Sequence, residues 1–61
     1  MKRRDLVRHL ERNGCVLRRE GGNHSVFTHP EKKTSTAVPR HTEINEYLVV
    51  KICRDLEIPR P

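Results

Sequence analysis

Cys15-Val16-Leu17-Arg18-Arg19-Glu20-Gly21-Gly22-Asn23-His24-Ser25-Val26-Phe27-Thr28-His29-Pro30 holds two short extended runs joined at a pair of glycines. Adjacent glycines tolerate φ > 0 without steric cost, so Gly21-Gly22 reads as a tight reversal between strands at Cys15–Glu20 and His24–His29. The apolar, β-branched start of the first run suits a strand leaving the core, and its charged end suits an exposed hairpin tip. Side chains alternate along a strand, which puts His24, Val26 and Thr28 on one face and Ser25, Phe27 and His29 on the other. With Phe27 directed into the core, His24 faces solvent, beside bare glycine backbone that a ligand approaches closely. Imidazole changes charge between pH 5 and 8, which makes His24 the candidate catalytic group.

Working outward, residues 3–13 read as an amphipathic helix in which Leu6, Val7 and Leu10 form the apolar stripe and Arg3, Arg4, Arg8, Glu11 and Arg12 occupy the rest. Asn13-Gly14 is a helix-stop signal, with glycine available for the left-handed position. On the other side, Pro30-Glu31-Lys32-Lys33 reads as a β-turn and Thr34–Val38 as a third strand, ended by Pro39, which has no N–H to donate. Arg40-His41-Thr42 is then a loop at the edge of the sheet. Thr42 or Asn45 caps a second helix reaching roughly Glu57, along which Leu48, Val49, Ile52, Cys53 and Leu56 form a stripe wide enough to cover three strands. The order α-β-β-β-α with short connections predicts an α+β fold: a three-stranded antiparallel sheet with two helices on one face, of the double-stranded-RNA-binding type.

Sixty-one residues make one domain, 1–61, with a thin core and no room for a second site. Phe27 and Tyr47 are the only aromatics, which disfavours both a nucleotide-cofactor pocket and recognition of bases by stacking. No cofactor and no metal are expected; His24 and His29 lie on opposite faces of one strand, and Cys15 and Cys53 match no zinc spacing and read as buried free thiols. No apolar run approaches the roughly 18 residues of a membrane helix, so the chain reads as cytosolic, unprocessed and without a membrane partner. The net charge of +5 is uneven: residues 1–13 and 14–41 each carry +3, and residues 42–61 carry −1. Positive charge placed along the first helix and the hairpins around a candidate catalytic group points to nucleic acid.

The remaining polar residues are weighed against plainer roles. His29, just before Pro30 on the inner face, reads as structural, and His9 as a solvent-facing helix residue. His41, with Asn23, is a possible secondary group of the site. Ser25 alternates away from His24 and no orienting acid follows it, which argues against a nucleophile pair. Two other readings share the basic surface: a non-catalytic RNA-binding module that spans duplex RNA by shape, and a protein-binding subunit with an acidic partner.

Gly14, Arg19, the Gly22-x-His24 turn, Phe27, His29-Pro30, Val38-Pro39-Arg40-His41 and Ile52 together resemble, in order and spacing, the HicA family of bacterial and archaeal toxin–antitoxin systems. The resemblance covers almost the whole chain. The family typically has serine between the glycine and the histidine, where this chain has Asn23. The resemblance implies a ribonuclease toxin, an mRNA interferase, that is inhibited by a HicB-type antitoxin; by itself the chain is expected to be a monomer or weak dimer. His24 matches the family's catalytic histidine. A neutral imidazole takes the proton of a ribose 2′-OH, which attacks the adjacent phosphate without a metal, and DNA lacks that hydroxyl. Gly22, Arg18, Arg19, Lys32, Lys33 and Arg40 are then the expected RNA-binding residues, the cations holding the phosphate chain.

Overall fold

The computed structural model describes residues 1–61. Its elements are α1 (Arg3–Arg12), β1 (Val16–Glu20), β2 (His24–His29), β3 (Thr34–Pro39) and α2 (Glu46–Leu56), the α-β-β-β-α order expected from the sequence. The three strands are antiparallel in the order β1-β2-β3, so the strand that begins with His24 is the central one. Gly14 takes φ +87° directly after the helix stop, as the Asn13-Gly14 pair predicts.

Alternation along β2 falls as expected: Ser25, Phe27 and His29 are buried, and His24 is exposed. The register Ser25↔Val38 and Phe27↔Thr36 places the buried residues of β3 on the same inner face. Both helices cover that face. Leu6 and Leu10 of α1, Phe27 and Val38 of the sheet, and Val49, Ile52, Cys53 and Leu56 of α2 belong to one apolar cluster, which also takes in Ile44 and Ile58. These two isoleucines lie outside any periodic run, and the sequence reading does not single them out. Cys15 and Cys53 are buried free thiols; burial pushes both pKa values up, and for Cys53 the neighbouring Cys15 adds to the rise.

Several local features differ from the expectation. Strand β1 is exposed throughout, with Val16 and Leu17 each about half accessible (49% and 48%), and only Cys15, before it, enters the core. His9 is half-buried rather than solvent-facing: its Nε2–H donates to the Pro59 carbonyl at 2.7 Å and ties α1 to the segment after α2. The loop after β3 is held by the start of the chain, where Lys2 and Glu43 form a bridge and the Arg3 N–H donates to the Thr42 carbonyl at 2.8 Å. Asn45 rather than Thr42 caps α2, because the helix begins at Glu46 and Asn45 directly precedes it, its Oδ1 accepting from the Leu48 N–H at 2.8 Å. The far end of α2 closes in a Schellman motif: Glu57 is left-handed (φ 59°), and the Glu57 and Ile58 N–H groups donate to the carbonyls of Arg54 and Cys53. No helix is long and apolar enough to cross a membrane.

Candidate functional site

His24 stands at the lip of an open depression of about 400 Å³ lined by Arg19, Gly21, Gly22, Asn23, His24, Val26 and Ala37. Three of these, His24, Val26 and Ala37, come from the uncovered face of the sheet, where Val26 pairs with Ala37 and His24 with Pro39. The glycine turn forms the other wall, for a reason different from the one its sequence suggests. Neither Gly21 nor Gly22 is left-handed. Instead the Gly21 N–H donates to the His24 carbonyl at 2.7 Å, and a Cβ at Gly21 would stand 2.8 Å from that oxygen. Gly21 is required by close approach; Gly22 faces open space.

A β-bulge decides which cations reach the open face. Leu17 pairs with Phe27 and Arg19 with Val26, so Arg18 is an extra residue in β1. Strict alternation would send Arg18 and Arg19 to opposite faces. With the bulge, both line a second depression of about 270 Å³ with Val26 and Ser35, next to the one holding His24. Arg40, just past β3, is attached to the turn itself: its backbone N–H donates to the Asn23 carbonyl and its Nη1 to the Gly21 carbonyl, both at 3.2 Å.

Behind the turn runs a polar network that the sequence reading does not foresee. Ser25 is fully buried; its hydroxyl donates to Glu20 Oε1 and accepts from Arg3 Nη2 at 2.9 Å. Arg3 Nε donates to the carbonyl of Pro39, the register partner of His24, at 2.9 Å. Arg40 Nη2 lies 4.0 Å from the other oxygen of Glu20. Arg3, read from the sequence as part of the polar side of α1, is thus a brace that joins the helix to β2 and β3, at Ser25 and Pro39. Its only sequence signal is an arginine one turn before Leu6, which any solvated helix shows.

The other expected residues are dispersed. Lys32 and Lys33 lie in the β2–β3 turn, beyond His29 and roughly 17 Å of strand away from His24 at about 3.3 Å per residue. Lys32 Nζ donates to the Glu57 carbonyl, tying this turn to the end of α2. His41 is exposed in the loop after β3 and does not line the depression of His24, whereas Asn23 does. His29 is buried and structural, its Nδ1 accepting from the Lys32 N–H at 3.3 Å. No three His, Cys, Asp or Glu side chains come together as metal ligands.

An exposed imidazole on a rigid strand, a bare glycine wall, and arginines along the same ledge can accept a proton beside a bound polyanion. A family model described as the HicA toxin of bacterial toxin–antitoxin systems matches residues 3–58. The chain belongs to the HicA toxin family. The match runs from the first residue of α1 to the Ile58 that closes the core, so it takes in the whole fold and every residue of the ledge. No curated protein and no solved structure gives a match. As a HicA toxin the chain is one member of a toxin–antitoxin pair, with a cognate antitoxin as its partner.

Proposed function

We propose that this HicA toxin is an endoribonuclease that cleaves messenger RNA with His24 as general base. The observation that carries the reading is the exposed His24 imidazole at the lip of the depression shared with Arg19 and the glycine turn. The neutral imidazole takes the 2′-OH proton; the 2′ oxygen forms a bond to the adjacent phosphorus; the bond to the 5′ oxygen breaks, and that oxygen leaves as a hydroxyl on receiving a proton. The products are a 2′,3′-cyclic phosphate and a 5′-hydroxyl end. Arg18, Arg19 and Arg40 hold the phosphate chain and offset negative charge that develops in the transition state; Gly22 lets the RNA backbone approach; Asn23 and His41 are secondary groups of the site; and Lys32 and Lys33 take up a longer strand at the far end of the sheet. The reaction draws on these side chains alone, with no metal or cofactor. A HicB-type antitoxin stops it by covering the His24 face with acidic and hydrogen-bonding groups.

The test is cleavage of single-stranded RNA in the presence of chelator by wild type and His24→Ala, matched for folding. Loss of a general base costs about 10²–10⁴ in rate, whereas one neutral imidazole contributes little to phosphate binding. Cleavage and growth arrest should vanish while RNA affinity stays within a few-fold. Undiminished cleavage by the variant would remove His24 from the mechanism. Binding without cleavage by nuclease-free wild type would favour a non-catalytic RNA-binding module.

A further inference from the structure

On the other side of Arg40 from the glycine turn lies a third open depression, about 370 Å³, lined by Lys2, Arg3, Arg4, Arg40 and Thr42. Four of its five residues are cations and none is apolar. The fold assembles it from two segments far apart in sequence, because the Lys2–Glu43 bridge and the Arg3 N–H to Thr42 bond lay the start of the chain along the loop after β3. Two of the cations are fixed from behind. Arg3 spends one N–H on Pro39 and another on Ser25, which leaves three of its five donors on a guanidinium that lines the depression. Arg40 is bound to Gly21 and Asn23, and so belongs both to this depression and to the turn beside His24.

We propose that this cluster is a second phosphate subsite, which holds the backbone of a single-stranded RNA whose scissile linkage lies at His24. The proposal rests on the ribonuclease reading for the position of that linkage. Three acids stand nearby, but their pairs are long and solvated: Lys2–Glu43 at 3.4 Å, Arg4–Asp5 at 4.0 Å and Arg40–Glu20 at 4.0 Å, between side chains that are each about half exposed or more. Exposed pairs of this kind are weak and yield to a polyanion. A protein partner fits less well, since interface cores are built on aromatic and apolar anchors and this lining has none. Arg40 gives the path its continuity: a strand that leaves the His24 depression along the turn meets Arg40 first, then Arg3, and then the exposed Lys2 and Arg4.

The measurement is the salt dependence of binding to a short 2′-O-methyl oligoribonucleotide, which cannot be cleaved because its 2′ oxygens carry no proton. Wild type is compared with Lys2→Gln/Arg4→Gln, two exposed positions outside the core, and with Arg54→Gln/Arg60→Gln, which removes the same charge from residues that line neither depression. Each lost phosphate contact reduces the slope of log affinity against log salt by about 0.7 for a single strand, so the Lys2/Arg4 variant should be shallower by about 1.4 while the control keeps the wild-type slope. A wild-type slope in the Lys2/Arg4 variant, or an equal change in the control, would overturn the subsite. So would loss of affinity for an acidic protein partner with RNA binding untouched, which would assign the surface to protein. Because the probe is not cleaved, failure of His24→Ala to stop cleavage leaves this result standing, and cleavage with an unchanged slope rejects the subsite alone.

Discussion

A Cβ built on Gly21 would stand 2.8 Å from the His24 carbonyl oxygen, and one built on Gly22 would meet nothing within 4 Å. The contrast makes two chemically identical residues a direct probe of what the turn requires. The oxygen in question already accepts the Gly21 N–H at 2.7 Å, so a methyl group at position 21 forces the loop away from the strand that carries the imidazole. Gly21→Ala should destabilise the fold by about 1–3 kcal/mol, the range for local backbone strain, and Gly22→Ala by no more than about 0.5 kcal/mol. Thermal unfolding decides it, since 1 kcal/mol moves the midpoint by about 4–8 °C in a domain of this size. Equal midpoints for the two variants would mean that the Gly21–His24 approach does not hold the turn. On the proposed ribonuclease reading, cleavage should fall with Gly21→Ala by more than the unfolded fraction accounts for, because the His24 backbone itself is displaced.

At the level of elements, periodicity within one run was readable and relations between runs were not. Alternation along β2 assigns His24 and Phe27 to opposite faces from local geometry alone, and the stripe of α2 follows from 3.6-residue spacing. The bulge at Arg18 depends on how β1 meets β2, and nothing in Leu17-Arg18-Arg19 announces it. Likewise Arg3, Ser25 and Glu20 are separated by up to 22 residues, and only the packing of α1 against the sheet brings them together. The left-handed Glu57 is a third case, since the sequence offers glutamate where helix ends favour glycine. A non-glycine residue in that conformation costs roughly 1–2 kcal/mol, part of which glycine gives back through its freer unfolded chain. Glu57→Gly should therefore stabilise the domain by about 0.5 kcal/mol. The tie from Lys32 survives the change because it ends on the Glu57 carbonyl. A lower denaturation midpoint for Glu57→Gly would show that its side chain matters more than its backbone angle.

For the whole molecule, the division of charge along the sequence predicts a cationic environment around His24, and the fold redistributes it: Arg18, Arg19 and Arg40 stay with the turn, Lys32 and Lys33 go to the other end of β2, and Lys2, Arg3 and Arg4 arrive from the first helix. Windows of sequence treat neighbours in the chain as neighbours in space, and a six-residue strand separates its two ends. The core has the opposite character, because its parts converge on one place. Ile52 is almost fully buried within the single apolar cluster that joins α1, the sheet and α2. A domain of this length has a total stability of about 3–9 kcal/mol on the usual scale per residue. Ile52→Ala removes about 2–5 kcal/mol through lost burial and the cavity left behind, and Ile52→Val about 0.5–1.5 kcal/mol. The alanine variant should therefore be partly or wholly unfolded at 37 °C, and the valine variant folded with a lower urea midpoint and the wild-type slope, since the surface exposed on unfolding is the same. With only one cluster, no second core remains to hold the sheet when α2 loosens, so far-UV and near-UV signals should be lost together. A midpoint for Ile52→Ala within error of wild type would mean that α2 does not carry the core, and two separate transitions would mean that the helices and the sheet do not share one.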